Sequence, residues 1–442
     1  MKLLFLLISF ISLSFALSVD ESKHLLNRTS FSYTQADLKL FQGFSKKEAI
    51  SFLIHSAKDT KTLAIPQDLK EISLPLKNRK SLSREEKKVL RKARVKKMKE
   101  LQMWWYEMML QPQHSFREKM TLFWHNHFVS SYKVVKNPYF MYKQNQLFRE
   151  NALGNFDTFL HKSSKDLAML IYLDNNSNKK SHPNENYARE LLELFTLGEG
   201  YYSEMDIKDA ARAFTGLRVN RKKQITVKIK KFHDFGSKTF LNQSGNFDAK
   251  DIIDIILEQD QMGIFIVSKL YKEFISEDIN KTFVKALAKD FKESSYDISL
   301  LMESLLLSDD FWNMNNKSIK SPSELMIGLI KNLDITVSTK ELRFLIKFGK
   351  SLGQELFNPP NVKGWAGNKA WIDSSSFVLR QNFIKKVLNR KLKPKKLKEL
   401  AINNYEEFQA YFYPIKSKEE YVFKNNKKYF SLLLTKSIYQ LR

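Results

Sequence analysis

Carboxylate and amide side chains recur at helical spacing within residues 181–216, which read SHPNENYARELLELFTLGEGYYSEMDIKDAARAFTG. Asn186, Glu190 and Glu193 step by four and three residues, so on a helix they share one stripe. Such carboxylates, joined by a histidine from a neighbouring segment, are the groups that bind metals or transfer protons. The same groups also form buried Arg–Glu ion pairs, which only fix how helices cross. The spacing therefore indicates a buried polar network and leaves its role open.

A second group of candidate residues lies in HSFREKMTLFWHNHFVSS, residues 114–131. Helical periodicity places His127 toward the core, while His125 lies about 200° around the helix from it. The two histidines can bind one metal ion only if the helix ends near Asn126. The alternative is a pair of hydrogen-bonded histidines at a helix C-terminus, where the helix dipole favours them. The sequence leaves both interpretations open.

Two helices must position the polar side chains of the central stretch. The first begins around Pro183 or Asn184 and ends at Leu197. The second is opened by Ser203, the first residue of a capping box, and ends before Gly216. Both helices therefore carry sequence signals at their two ends.

Arg212 lies on the second helix among alanines, which allow another helix to approach closely. On the first helix, Glu185 and Arg189 have the spacing of an i,i+4 ion pair. We therefore expect Glu190, Glu193 and Arg212 to be largely buried and mutually paired.

The rest of the chain shows mostly helical periodicity. A long helix begins after Ser83 with a capping box. Residues 225–232 alternate apolar and basic side chains as a strand does, and HDFGSKTFL after them would supply the return strand. We predict a mainly α protein with one large helical domain over residues 19–390, a small β-hairpin insertion near residues 225–241, and a Lys-rich segment with a C-terminal packing helix over residues 391–442.

The N-terminus has the three parts of a secretory signal peptide, namely a basic start, an apolar run and small residues ending at Ala16. We assign residues 1–18 to this signal, with cleavage after Ala16 or Ser18. The released chain would be periplasmic or extracellular, and no later apolar run is long enough to span a bilayer. The sequence contains no cysteine, which excludes disulfides, thiolate chemistry and a lipid anchor on cysteine.

The formal net charge is +26. Lysine greatly outnumbers arginine and is spread along the chain, whereas base readout depends on arginine. We therefore expect no specific nucleic-acid partner, but a weak attraction to acidic envelope polymers. The sequence also contains no His-Glu-x-x-His, Gly-x-Ser-x-Gly, phosphate-loop or dinucleotide motif, so common hydrolases and nucleotide enzymes lose support.

Four segments resemble, in order, the signature blocks of the bacterial domain-of-unknown-function 1800 family: FWHNHF, PNENYARELLELFTLGEGYYSEMDIKDAARAFTG, HDFGSKTFL and PPNVKGWAG. The resemblance extends from HLLNRTSF, near residue 24, to the last predicted helix. Leu217 stands where the family often has Trp, and the charged insert around residues 77–97 is a further departure.

The resemblance implies an exported, largely helical protein without an established activity. Family members are often encoded beside a secreted sulfatase-like protein, which is the partner that the resemblance suggests. The polar residues that the resemblance assigns to signature blocks are His125, Asn126, His127, Asn184, Glu185, Asn186, Arg189, Glu190, Glu193, Arg212, His233, Asp234 and Lys238.

Two hypotheses follow for these residues. In the first, they line the pocket of an enzyme or ligand-binding protein for a glycan-type ligand. The carboxylates or histidines would then transfer protons or bind a divalent metal, and Arg189 or Arg212 would hold an anionic or polysaccharide substrate. Trp365 and Trp371 would stack on sugar rings or lie in the core. In the second, the protein is a non-enzymatic envelope or secreted partner, and the polar residues form a structural clamp.

Overall fold

The structure, a computed structural model, describes residues 16–58, 64–73, 82–112, 115–313 and 317–442. Residues 1–15 of the predicted signal peptide therefore lie outside the described residues. The described chain is mainly α, as predicted, and carries two small antiparallel hairpins. None of its described helices is long and apolar enough to cross a membrane.

The described α-helices before the central stretch are α1 (Val19–Thr29), α2 (Gln35–Phe41), α3 (Lys46–Ala57), α4 (Arg84–Leu110), α5 (Ser115–His127), α6 (Tyr132–Val135), α7 (Pro138–Glu150), α8 (Phe156–Ser163) and α9 (Leu167–Tyr172). Those from the central stretch onward are α10 (Asn186–Glu190), α11 (Glu204–Ala213), α12 (Ala249–Glu258), α13 (Asp260–Phe274), α14 (Lys281–Glu293), α15 (Ile298–Leu307), α16 (Asp309–Trp312), α17 (Pro322–Asn332), α18 (Thr339–Ser351), α19 (Ser374–Lys391), α20 (Pro394–Glu399), α21 (Tyr405–Phe412) and α22 (Lys427–Leu434).

Capping boxes start the helices where the sequence predicts them. The Ser83 hydroxyl accepts a hydrogen bond from Glu86 N at 3.1 Å, and the Glu86 carboxylate accepts one from Ser83 N at 2.7 Å. Ser203 and Asp206 form the same reciprocal pair at the start of α11. Each box satisfies backbone donors that the first turn of a helix otherwise leaves free. The predicted starts of α4 and α11 are therefore confirmed.

The β insertion consists of two hairpins. Strand β1 (Leu217–Asn220) pairs with β2 (Ile225–Lys228), and β3 (Lys238–Phe240) pairs with β4 (Gln243–Gly245). The predicted return strand for β2 is thus wrong, because β2 pairs with the strand before it. A short turn closes that pair: the Asn220 side chain accepts hydrogen bonds from two backbone amides within the turn. Such local closure costs less chain entropy than a pairing across the following loop.

The C-terminal segment packs onto the helical body. The Tyr411 hydroxyl donates to Asn332 O at 3.0 Å, and Lys320 N donates to Gln440 O at 2.8 Å. Helix α22 and a turn of 3-10 helix after it account for the predicted packing helix. One hydrophobic core contains buried residues from Leu17 to Tyr439. The predicted boundary at residue 390 stays a prediction.

Candidate functional site

The first helix of the central stretch changes its geometry halfway along. After α10, residues Leu191–Thr196 form a π-helix. Leu197 N accordingly donates to Leu192 O, five residues back, and the Thr196 hydroxyl donates to Leu191 O. A π turn contains an extra residue, so it rotates the following side chains relative to an α-helix. The expected stripe of Glu190 and Glu193 assumed α-helical spacing, so the π-helix changes how these two side chains lie relative to each other.

The predicted pairing of Glu190, Glu193 and Arg212 is wrong. Arg212 is half-buried, with 29% of its side chain exposed, and it pairs with Asp234 and Asp209, each at 2.8 Å. Asp209 lies on the same helix and Asp234 on the loop packed against it, and packing brings both within ion-pair distance of Arg212. The guanidinium group is therefore neutralised by two other carboxylates.

Glu190 and Glu193 are half-buried instead of fully buried. Neither carboxylate has a hydrogen-bond or ion-pair partner among the described residues. Burial raises the pKa of Glu190, and the charge of Glu193 raises it further, while Lys363 and Arg189 act against the rise. This pair is the part of the predicted pocket whose side chains remain available to a ligand.

Arg189 is held at the surface by two carboxylates. It donates to Glu204 at 2.8 Å and to Glu185 at 3.2 Å, which confirms the expected i,i+4 pair. The contact with Glu204 joins α10 to the start of α11. Arg189 therefore fixes the two helices of the central stretch relative to each other.

The amides that precede α10 close a loop. The Asn184 side chain donates to Ser177 Oγ at 2.9 Å and accepts from Asn186 N at 3.0 Å. The Asn186 side chain donates to Leu173 O at 3.1 Å, and Asn178 Oδ1 accepts from Asn184 N. These contacts satisfy backbone groups of the loop, so the amides act there as structural groups.

The segment of residues 233–238 is tied to the end of α11. His233 is buried and its Nδ1 donates to Thr215 O at 2.9 Å, while Asp234 N donates to the Thr215 hydroxyl at 2.8 Å. The buried Lys238 ammonium donates to the carbonyl oxygens of Asp234 and Gly236 at 2.8 and 2.9 Å. The hydrogen bonds of His233, Asp234 N and Lys238 therefore hold this loop together and attach it to the end of α11.

His125 belongs to a buried network between α5 and α7. The Glu118 carboxylate accepts from Arg149 at 2.6 and 2.8 Å and from Trp105 Nε1 at 3.0 Å. Arg149 also donates to Asn145 Oδ1, and Asn145 Nδ2 donates to His125 Nε2 at 2.9 Å. Burial lowers the pKa of His125 well below its usual value, and the charge of Arg149 adds to this effect. The histidine is therefore neutral.

His127 serves a different network, at the end of the π-helix. Its Nε2 donates to Phe195 O at 3.0 Å, and Lys269 Nζ lies 3.3 Å from its Nδ1. Lys269 also donates to Leu194 O at 2.8 Å. The last carbonyl groups of a helix lack partners within the helix, so these two side chains satisfy them. The two histidines thus act separately at a helix C-terminus, which is the second of the two interpretations drawn from the sequence.

Asn126 joins the first signature block to the last. Its Oδ1 accepts from Trp365 N at 2.6 Å and its Nδ2 donates to Trp365 O at 3.3 Å. Trp365 and Trp371 are only 4% and 9% exposed, so they are core residues and are not available to stack on a sugar.

Beside Asn126 lies a charged cluster that sequence reasoning missed. Lys119 pairs with Glu324 and with Glu273, and Arg442 pairs with the same two carboxylates. The side chains surround a cavity of about 60 Å³, which has room for about two water molecules. Arg442 and Lys119 hold the pKa of Glu324 at about 2 against the opposing effect of burial. The only local signal was the capping box of Glu324 with Ser321, because its ionic partners lie far away along the chain.

The structure therefore divides the predicted site residues among separate networks. The described residues contain no group of three or more His, Asp or Glu side chains that could hold a metal ion. His125, His127 and His233 each contact different partners. The hypothesis that all of these residues line one common pocket stays a prediction.

Fold and site together define a class: a mainly helical protein in which most signature polar residues, with the exception of Glu190 and Glu193, stabilise internal contacts between helices and loops. More specifically, the chain belongs to the family described as protein of unknown function DUF1800, whose model matches residues 24–440. The resemblance noted in the sequence is thereby confirmed. No curated protein and no solved structure matches the chain.

Proposed function

We propose that this chain is an exported, non-enzymatic partner protein of the cell envelope or the secreted fraction. The observation that carries the proposal is the burial of its three signature histidines, His125, His127 and His233, each at most 3% exposed and each bonded to a different protein group. A histidine that transfers protons must come within hydrogen-bond reach of a substrate. Histidines in these positions instead stabilise the fold that a partner recognises.

Export is supported by the sequence of residues 1–18, which has the parts of a signal peptide. The lack of cysteine is compatible with an oxidising compartment, since no thiol can be oxidised there. Cell fractionation of a tagged full-length chain tests this part of the proposal. Recovery in the periplasm or the medium is expected, and retention in the cytoplasm would contradict it.

The partner that we propose to test first is the secreted sulfatase-like protein suggested by the family resemblance. The two proteins are co-expressed, and capture by the tagged mature chain is measured together with its melting temperature. Arg212→Gln removes the ion pairs with Asp209 and Asp234 and should lower the melting temperature by a few degrees. Capture of the sulfatase-like protein by this variant should fall only in proportion to the fraction of the variant that is folded.

Lys208→Gln is the matched control on the same helix, because Lys208 is exposed and forms no ion pair among the described residues. It should change neither capture nor melting. The non-enzymatic proposal would be overturned if the native chain turned over a substrate and a variant with the native melting temperature lost that activity.

A second candidate function, the binding or processing of a glycan-type ligand, is favoured by one observation. Glu190 and Glu193 are half-buried and have no partner among the described residues. Glu190→Gln should therefore leave the melting temperature unchanged, while a glycan screen on the native chain and the variant would reveal lost binding. Elemental analysis of the dialysed native chain tests whether a divalent metal accompanies the pair. No glycan retained by the native chain and no metal would remove this candidate.

A further inference from the structure

A long concave surface runs along one side of α4, next to its buried face. Between α4 and α18 it forms a cavity of about 630 Å³. It continues along the N-terminal half of α4, past Tyr132, as a second cavity of about 450 Å³. Val95 and Tyr132 line both cavities, so the two adjoin each other along α4. We call this surface the basic trough.

Positive charge surrounds the basic trough and is largely uncompensated. Its two nearby glutamates are already engaged: Glu100 pairs with Lys97 at 2.9 Å, and Glu355 lies 3.9 Å from Lys350. The sequence of residues 74–81, which precedes α4, contains no carboxylate that could supply a counter-charge. The cations of the trough that have no ion-pair partner among the described residues are Lys87, Arg91, Lys96, Lys99, Lys133, Lys136, Arg343 and Lys347.

The floor of the trough is apolar. It contains Val95, which is 41% exposed, and the half-buried Met103, Tyr132 and Ile346. Exposed apolar surface framed by charged residues is typical of a protein-binding groove. The half-buried Met103 suits such a groove because a methionine side chain is flexible and adapts to the apolar residues of a partner.

The dimensions select the kind of occupant. The trough follows α4 from Lys87 to Met103, which at 1.5 Å per residue is about 24 Å. A flat bilayer does not reach the floor of a concave surface. Single-stranded nucleic acid would need several aromatic rings for base stacking, and among the described residues that line the two cavities Tyr132 is the one aromatic side chain. A helix with an apolar stripe and acidic flanks matches the floor, the rim and the length.

We propose that the basic trough binds an acidic amphipathic helix of a partner protein. Its apolar stripe would lie on Val95, Met103 and Ile346, and its carboxylates would face the lysines of α4 and α18. This inference rests on the proposed role as a partner protein and names the chemistry by which the partner is recognised. It assigns no role to the signature residues.

The test uses a synthetic peptide of about 16 residues with leucine at i, i+3, i+4 and i+7 and glutamate on its flanks. Its control is a scrambled peptide of the same composition, which keeps the charge and loses the stripe. Fluorescence anisotropy with the mature chain should show the designed peptide binding at least about tenfold more tightly than the scrambled one.

Charge reversal locates the binding. Lys96→Glu combined with Lys347→Glu should weaken binding by about tenfold or more, because both exposed lysines frame the trough. Lys285→Glu combined with Lys398→Glu is the matched control, since both lysines are exposed, lie outside the trough and form no ion pair among the described residues. Val95→Asp places a charge on the floor at a position that is 41% exposed, and it should weaken binding.

Equal binding of the two peptides, or equal loss in the control variant, would overturn the proposal and indicate general attraction of polyanions. Binding to anionic phosphatidylglycerol vesicles without binding of the designed peptide would also overturn it. Capture of the native partner that survives the Lys96→Glu and Lys347→Glu changes would reject the trough and leave the proposed function intact. Failure of capture by the native chain itself would instead reject the proposed function.

Discussion

The side-chain amide of Asn126 forms two hydrogen bonds with the backbone of Trp365, accepting at 2.6 Å and donating at 3.3 Å. This contact joins the C-terminal end of α5 to the Pro- and Gly-rich loop of residues 359–367, which lies 239 positions further along the chain. The residue before Trp365, Gly364, has a positive φ of 89° and lies against Asn126. The loop thus follows the helix end without space for a side chain at this position.

Gly364→Ala should destabilise the protein. A Cβ at this position would lie 2.8 Å from Asn126 O, and φ is in the region that favours glycine. We expect a loss of about 1–3 kcal/mol in the free energy of unfolding, measured by urea denaturation. Gly367→Ala is the matched control in the same loop, because its added Cβ meets no atom within 4 Å. Equal stability of the two variants would contradict the packing described.

Glu118→Gln should cost more than the loss of a surface ion pair. It removes the charge that Arg149 contacts at 2.6 and 2.8 Å and leaves a buried guanidinium without a counter-ion. Breaking such a pair typically costs about 3–5 kcal/mol. Glu85→Gln at the surface, where Lys88 lies 4.0 Å away, is the control and should change stability by less than about 1 kcal/mol. Chemical denaturation of the three proteins distinguishes these outcomes.

Stability should rise with pH above neutrality. Burial is the main cause that lowers the pKa of Lys320 to about 7, whereas an unfolded lysine titrates near 10.4. Between these values the unfolded chain holds a proton that the folded chain has released, so the free energy of unfolding increases with pH. The Lys320 contribution between pH 7 and 9 is on the order of 2 kcal/mol.

Lys320→Met should reduce this slope, because its side chain does not titrate and has a similar length. Lys285→Met at an exposed position serves as the control and should preserve the slope. Urea denaturation at pH 7, 8 and 9 measures how the free energy of unfolding changes with pH. A slope unchanged by Lys320→Met would assign the pH dependence to other groups.

The mature chain should begin at Leu17, given the proposed export. The Leu17 side chain is buried and its N donates to Phe44 O at 2.8 Å, while Ser18 forms the capping box of α1 with Glu21. Cleavage after Ser18 would remove both contacts, at a cost of about 1 kcal/mol for the cap and about 2 kcal/mol for the leucine. N-terminal sequencing of the secreted protein decides between the two sites. A chain that begins at Val19 and is equally stable would refute the assignment.

Local features of the structure were largely predictable. The start of α4 at Ser83 and the start of α11 at Ser203 followed from capping boxes, whose partners are three residues apart. The strand character of residues 225–228 followed from alternation of apolar and basic side chains. These signals are short in range, because each depends on neighbours within one helical turn or one strand.

Partners of the polar side chains were much less predictable. The i,i+4 pair of Glu185 and Arg189 is present, but Arg212 is neutralised by Asp209 and Asp234 and not by the glutamates of the first helix. The π-helix after Glu190 gave no recognised signal in the sequence, and it changes which side chains share a face. An ion pair forms between the charged groups that tertiary packing brings together. Helical spacing alone does not predict which groups these are.

By itself, the sequence determined the mainly α fold, the capped helix starts and the family, because periodicity, capping and signature blocks are properties of consecutive residues. Tertiary structure alone decided that His125 and His127 serve separate networks, that Asn126 binds the loop at Trp365, and that Lys119 meets Glu324 across 205 positions. Those contacts depend on how helices distant in sequence pack around the core, and that packing places each buried polar group beside the partner that satisfies it.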